Sequence, residues 1–268
     1  MVKEYDEYMN DKELLVNVEN EIAILTINRP EVLNAVSDDT CKKINDALTM
    51  AESDDSIKAI IITGSGDKAF CTGHDISTFN SLTIPAARES SIANHNLCTR
   101  IQYFKKPIIA AINGYAMGAG FEIALSCDFR IASHNAVFGF PEVKLGIFPG
   151  QGGTQRLTRI AGMGPAKYYI MTAENMTVER AYQLGIVEKT TTQEELMKVC
   201  KKSIERVLRG APLSVSYVKD AINYGIDMDL HSALKYESEA FLTVFSTEDR
   251  VEGVNAFLEK RRPSFKGK

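Results

Sequence analysis

The sequence lacks the features that mark several large classes of protein. Its five cysteines, at positions 41, 71, 98, 127 and 200, form no Cys-x-x-Cys pair. So odd and scattered a set predicts free thiols in a reducing compartment, not a disulfide framework. The four histidines, at 74, 95, 134 and 231, are equally dispersed; no zinc-ligand spacing arises and no metal is expected. Positive charge is not in surplus: the formal net charge is −4, which gives no reason to expect nucleic acid as a partner. No apolar run approaches the roughly 20 residues that cross a bilayer. The opening MVKEYDEYMNDKELL has neither the apolar stretch of a signal peptide nor the Arg-rich, acid-poor character of a transit peptide. No membrane partner is expected, and the cytoplasm is the expected location.

What is present is ordinary in amount and informative in order. Of 268 residues, 44 % are hydrophobic and 25 % charged, enough to bury a large core in one domain or one and a half. Residues 14–18 and 22–27 are apolar runs joined by Glu19, Asn20 and Glu21, the pattern of a hairpin. Pro30 ends the second run, since proline cannot sit in a central ladder. Ser37 is a candidate N-cap, and Cys41, Ile44, Leu48 and Ala51 follow at helical spacing. Residues 57–63 are β-branched and almost uniformly apolar, which suits a strand buried on both faces. Residues 84–104 read as one or two helical segments, 108–112 as another buried strand, and 129–132 and 137–140 as short strands. This alternation predicts βαβ units and a substantially parallel sheet. From Gln151 onward nearly everything reads as helix, apart from a short run at Ile186 and Val187. Thr192 and Glu195 suggest a capping box. Helices are expected near 213–224, 231–245 and 249–261, and the basic tail 263–268 is expected to be mobile. The chain thus divides into an α/β core, 1–200, and a C-terminal helical segment, 201–268. Helices that do not cover the sheet need another surface to bury, which favours a homo-oligomer.

The chemistry concentrates between residues 106 and 153. A buried strand empties into the glycine-rich turn 113–120, Asn-Gly-Tyr-Ala-Met-Gly-Ala-Gly. Such a turn permits close approach to the backbone and leaves the first helical N–H groups open to negative charge; it equally permits tight strand–helix packing. Its spacing is neither GxGxxG nor GxxxxGK[ST], so a dinucleotide or P-loop site loses its main support. Glu122 follows in an apolar helical context, either as a complement to the helix dipole or as a working acid. Glu142 sits among Phe140, Pro141 and Val143, where desolvation favours its neutral form; a salt bridge to Lys144 or Arg156 is the alternative. Two carboxyls in different environments can divide acid and base roles. The loop 70–76 follows the strand 57–63, and if that strand neighbours 108–112 both loops face one crevice. One backbone N–H from each loop then clamps a single oxygen. His74 offers a ring that can act as a base, although a residue placed there for its backbone explains it equally simply.

Taken together, KPIIAAINGYAMGAGFEIALSCDFRIAS, FGFPEVKLGIFPGQGGTQRLTRIAG, ITGSGDKAFCTGHDI and STEDRVEGVNAFLEKRRPSF resemble the crotonase (enoyl-CoA hydratase/isomerase) superfamily, over nearly the whole chain. The resemblance implies an α/β fold built as a spiral of ββα units, with the C-terminal helices used in trimerisation. It implies an oxyanion hole from the backbone N–H groups of His74 and Ala119, where many members carry alanine, glycine or leucine, and glycine, respectively. Glu122 and Glu142 match the two catalytic glutamates of the hydratase branch; isomerase and dehalogenase branches typically lack one or the other. Gly150 matches a glycine bordering the catalytic water. Lys68, Ala69, Thr72, Asp75 and Ile76 fall at coenzyme A contacts, and Phe241 and Lys260 where hydratases touch the CoA nucleotide across a subunit boundary. Met117, Phe140, Phe148 and residues 77–97 are expected to border the acyl group. The implied partner is an acyl-CoA, with coenzyme A as part of the substrate and no separate cofactor, in a homotrimer or dimer of trimers. The implied reaction is reversible addition of water to a trans-2-enoyl-CoA of short acyl chain. A dedicated 3-hydroxyacyl-CoA dehydratase, a cyclic enoyl-CoA hydratase and an isomerase use the same equipment. Outside that site, a NAD-dependent dehydrogenase and a non-catalytic binding protein are the rival classes.

Overall fold

The computed structural model describes residues 12–268; most of the acidic opening stretch read above lies outside the described residues. Two compact units are present. The first runs to Gln102 and resumes from Ile108 to Cys200; the second comprises Tyr103–Pro107 and Lys201–Lys268. None of the described helices is long and apolar enough to cross a membrane.

The first unit opens with β1 (Leu14–Glu19) and β2 (Ile22–Ile27), an antiparallel hairpin. Asn20 and Glu21 both take positive φ, 48° and 65°, as a two-residue turn matched to strand twist requires. Helix α1 (Asp38–Ser53) starts at the predicted cap: the Thr40 N–H donates to the Ser37 hydroxyl oxygen, and the Thr40 side chain accepts from the Ser37 N–H. Its Cys41, Ile44, Leu48 and Ala51 stripe is buried. Three similar passages follow. Strand β3 (Ala59–Gly64) leads to β4 (Ala69–Cys71) and helix α2 (Ile84–Gln102). Strand β5 (Ile108–Ile112) leads to β6 (Tyr115–Met117) and α3 (Ala119–Ser126). Strand β7 (Phe129–Ser133) leads to β8 (Val137–Gly139), then a 3₁₀ turn, Glu142–Leu145, and α4 (Gly153–Ala161). The unit continues through α5 (Met163–Thr172), β9 (Met176–Thr177), α6 (Val178–Gln183), β10 (Lys189–Thr191) and the start of α7 (Leu196–Val207).

Each passage is a ββα unit whose two strands enter different sheets. The large sheet has the order β1-β2-β3-β5-β7-β10 and is parallel from β2 onward. Every residue of β3 and β5 is buried, as expected of strands covered on both faces. The small sheet has the order β4-β6-β8-β9, with β4, β6 and β8 parallel. Three chain segments therefore leave neighbouring parallel strands side by side, at 72–75, 118–120 and 140–142. The sequence reading put 69–71 and 115–117 in loops; strands of three residues are too short to show a period of two.

Two buried asparagines pin the segments before these exits. The Asn113 amide nitrogen donates to the carbonyls of Gly64, Gly66 and Ala69 at 2.9, 2.9 and 3.2 Å, and its oxygen accepts the Gly64 N–H. Asn34 donates to the carbonyls of Ser65 and Ala69 at 3.0 and 2.7 Å. From the far side of α3, buried Arg130 donates to the carbonyls of Ala124, Cys127 and Ile186 and pairs with Glu188 at 2.8 Å. It thereby supplies partners for the open C-terminal end of that helix.

In the second unit α8 (Pro212–Gly225), α9 (Leu230–Phe245) and α10 (Glu248–Leu258) follow the end of α7. Tyr224 stands between Tyr103 and Tyr236, with ring centroids 4.8 and 5.7 Å away. The basic tail is tied down, contrary to expectation. Buried Asp249 accepts the N–H groups of Lys266 and Gly267 at 2.7 and 2.8 Å, and Glu252 accepts that of Ser264 at 2.7 Å. Helix α7 starts at Leu196, so Thr192 lies outside it, and Glu195 pairs with Lys198 at 2.8 Å.

Asn113→Ala removes the bonds to the carbonyls of Gly64, Gly66 and Ala69 and the one from the Gly64 N–H, of which the Ala69 carbonyl keeps a second donor, Asn34. The expected cost is about 2–4 kcal/mol of stability, read as a lowered denaturation midpoint at unchanged m-value.

Candidate active site

Glu122 lies in the first turn of α3 and is 1 % exposed. A carboxylate that deep must be hydrogen-bonded. Its Oε1 accepts two backbone N–H groups, from Gln151 at 2.8 Å and Gly153 at 2.7 Å. Burial pushes its pKa upward, while these amides and the charge of Arg156 pull against the rise. Gly153 fits because it has no side chain: a Cβ there would lie 2.7 Å from the Phe140 ring and 3.0 Å from Glu122 Cγ.

Glu142 begins the turn after β8 and has the opposite surroundings. Among the described residues its buried Oε2 has no hydrogen-bond partner. Burial, reinforced by the charge of Glu122, lifts its pKa to about 7. Neither salt bridge considered from the sequence forms: Lys144 Nζ donates to the Ala173 carbonyl, and Arg156 donates to Gln151 and Gln102. The other oxygen, Oε1, lies over Gly118, so close that a Cβ at 118 would stand 2.9 Å from it. Gly118 also has φ 49° and ψ −125°, outside the region that other residues adopt.

The two loops meet at these glycines. A Cβ at Gly73 would lie 3.9 Å from the Ala119 nitrogen, and one at Gly118 would lie 3.6 Å from the Gly73 Cα. The residues that follow, His74 and Ala119, carry the two expected donors, and neither N–H has an acceptor among the described residues. The bonds of that strip come from their neighbours, Val36 N–H to the Gly73 carbonyl and Asp75 N–H to the Val36 carbonyl. The His74 ring faces elsewhere. Its Nε2 is 3.5 Å from Asp38, which also accepts Ser90 and Asn94 of α2, and its Nδ1 is buried without a partner. Burial holds the imidazole pKa below its ordinary value despite Asp38 and Asp75.

The other expected residues divide into two groups. Lys68 offers its carbonyl to the Tyr115 N–H, and the Ala69 carbonyl is gripped by both asparagines. The Thr72 hydroxyl donates to the Leu33 carbonyl at 3.1 Å; Asp75 caps Ser77 and pairs with Arg29 at 3.2 Å; Ile76 is 50 % exposed. The Gly150 carbonyl accepts the Ser91 hydroxyl, one residue before the amide that holds Glu122. Phe241 and Lys260 belong to the second unit, Phe241 exposed beside Phe245 and Lys260 at φ 56° after α10. Phe140 is core, stacked on Phe121 with centroids 4.9 Å apart, whereas Phe148 is exposed. The sequence reading missed Asn34, Asn113 and the amides of 151 and 153. For Asn113 the available signal was its place directly after the apolar run 108–112; Asn34, seven residues past the end of β2, offered none. Backbone donors leave no trace in side-chain chemistry.

Among the described residues no group of three or more His, Cys, Asp or Glu is placed to hold a metal ion. All five cysteines are free and buried, and burial lifts Cys71 to about 12 and Cys98 to about 11. Two open N–H groups beside one amide-held carboxyl and one with a bare oxygen suit proton transfer next to an oxygen that gains negative charge. These are the means of an acid–base enzyme acting on a carbonyl compound. The sequence profile of the family Enoyl-CoA hydratase/isomerase matches residues 17–268, and the chain belongs to that family. It is 45 % identical over 249 residues to a short-chain-enoyl-CoA hydratase of Clostridium acetobutylicum, covering 93 % of this chain and 95 % of that one. It is 44 % identical over 252 residues to a crotonyl-CoA hydratase of Syntrophomonas wolfei, covering 94 % and 97 %. The fold superposes on the crystal structure of an enoyl-CoA hydratase from Bacillus anthracis with a TM-score of 0.92 at 35 % identity, over 96 % of this chain and all of that one.

The raised pKa of Glu142 carries a stability cost. A carboxyl whose folded pKa is raised stabilises the fold only while protonated; the cost starts near its unfolded pKa and is complete above about 7. Glu142→Gln is therefore expected to melt a few degrees above the parent at pH 8, the gap closing as pH falls toward 4.5.

Proposed function

We infer that this protein is an enoyl-CoA hydratase, adding water reversibly to a trans-2-enoyl-CoA to give a 3-hydroxyacyl-CoA. The observation that carries this is the contrast between its two carboxyls: Glu122 held by two amides, and Glu142 with one oxygen unpartnered and the other over Gly118, beside the two open N–H groups. The short-chain and crotonyl-CoA specificities named for the two relatives support a short acyl group.

In this reading the N–H groups of His74 and Ala119 hold the thioester oxygen and stabilise the enolate charge that develops there; one such donor is worth about 3–4 kcal/mol of barrier. Glu122 takes a proton from the water as its oxygen bonds to C3. Glu142 orients that water and delivers a proton to C2, the enolate electrons closing the new C–H bond. One proton then passes from Glu122 back to Glu142, and the pair is reset. Retention of both carboxyls favours hydration over isomerisation. Coenzyme A enters as part of the substrate, along Lys68, Ala69, Thr72, Asp75 and Ile76, with Gly150 beside the water, and no separate cofactor takes part. Phe241 and Lys260 are read as CoA contacts supplied to a neighbouring subunit in a trimer or dimer of trimers. Exposed Val218, Ile222, Phe241, Phe257 and Leu258 on the C-terminal helices accord with such an assembly. Buried free thiols accord with a cytoplasmic enzyme.

Glu122→Gln and Glu142→Gln are each expected to lower hydration of crotonyl-CoA by about 10²–10⁴-fold. The assay is loss of absorbance of the conjugated thioester across a panel of enoyl-CoA chain lengths. The double variant loses far less than the product of the two, because both groups act on one water. Near-parent turnover in either single variant would sink the assignment.

The kcat/KM profile for hydration is expected to be bell-shaped. Its acid limb belongs to Glu122, which must be ionised. Its alkaline limb, near pH 7 where Glu142 gives up its proton, disappears in Glu142→Gln; a parent profile flat through that region contradicts the assigned roles.

A further inference from the structure

We propose that Arg156 is a positioning residue for this reaction, fixing the loop whose two amides aim the carboxylate of Glu122. The proposal rests on the reading of Glu122 as the base. Arg156 lies in the first turn of α4, where its own N–H donates to the Gly152 carbonyl at 2.8 Å. Its guanidinium is tied on two sides. Nη1 donates to the Gln151 carbonyl at 2.9 Å, and Nε donates to Gln102 Oε1, at the end of α2, also at 2.9 Å. Gln151 thus has its carbonyl committed to Arg156 and its N–H committed to Glu122. Any rotation of this loop that loosens one bond strains the other.

Gly152 confirms how closely the loop and the guanidinium fit. Its φ is 107°, and a Cβ there would lie 2.0 Å from Arg156 Nη1. The loop is wrapped onto the guanidinium with no space for a side chain between them. Only a planar group with donors in fixed directions can reach both the carbonyl and the Gln102 amide; a lysine offers the charge without the fork. The groups facing Glu122 are Arg156 from α4, Cys98 from α2 and Glu142 after β8, with His95 of α2 beside Arg156. Arg156 is the cation among them, and its charge favours the ionised form of Glu122.

The test compares Arg156→Gln, Arg156→Lys and Gln102→Ala in the full-length protein with the parent and with Glu122→Gln. Both Arg156 variants are expected to lose about tenfold to a hundredfold in kcat for crotonyl-CoA at unchanged KM, since Arg156 touches no part of the proposed substrate path. The acid limb of the kcat profile moves to higher pH in Arg156→Gln, where the charge is gone, and stays in place in Arg156→Lys. Gln102→Ala, which keeps Arg156 and frees one side of it, gives a smaller loss in the same direction and serves if the Arg156 variants do not fold. An infrared pH titration of the Glu122 carboxyl, isolated by difference against Glu122→Gln, reads the coupling without reference to turnover and shifts upward in Arg156→Gln. Inactive Glu122→Gln beside folded variants with parent kcat and parent titration overturns the role of Arg156 alone. Full turnover by Glu122→Gln overturns the reading of Glu122 and the proposal with it.

Discussion

A carboxylate almost without exposure has to be compensated on the spot, and the structure around Glu122 is arranged to do so. Two amides point at one oxygen, 2.8 and 2.7 Å away. To bring both to the same atom, the chain must turn sharply at 152 and carry no side chain at 153, where Phe140 and Glu122 already fill the space. Phe140 in turn is fixed by stacking on Phe121, the residue before Glu122. The base, the loop that holds it and the aromatic beneath them are therefore one packed assembly. Moving any of them leaves a buried charge short of partners, which is among the costliest defects a core can hold.

Glu142 is placed by a different constraint. The parallel run of β4, β6 and β8 delivers three chain segments to one edge, and the two asparagines hold the first of them in place from behind. Donors and acid come from consecutive ββα passages, so their spacing is set by the strand separation within a sheet and not by the conformation of a flexible loop. Where Glu122 is satisfied, Glu142 is left with a bare oxygen. Burial raises both carboxyls, but two amides and Arg156 oppose the rise at Glu122, and unequal surroundings of this kind let chemically identical side chains take different roles. That inequality also carries a cost in stability that a site without a reaction to run would have no reason to keep.

Much of this was legible in order along the chain. The hairpin, the Ser37 cap, the stripe on α1 and the buried strands β3 and β5 rest on local patterns, and local patterns survive into the fold. Of the small sheet only β8 was legible, as the short strand at 137–140; β4, β6 and β9 are two or three residues long and exist through pairing with segments that are not their chain neighbours. The strand Lys189–Thr191 lies just past the short non-helical run read at Ile186 and Val187, which are the buried residues there. The tail was misjudged. Its basic composition reads as solvated, yet its backbone N–H groups find Asp249 and Glu252 one helix back.

By itself the sequence determined the alternation of strands and helices, the glycines that open the turn at 113–120, and the identity of two acids set among apolar neighbours. Those are properties of residue type and spacing. Only the tertiary structure decided what the acids experience. It placed Glu122 under two amides some thirty residues away, denied Glu142 the lysine and arginine that stand near it in the chain, and turned the His74 ring toward Asp38. The physical reason is that desolvation and hydrogen-bond direction depend on where non-local backbone groups point, and a backbone amide looks the same in every residue of a sequence.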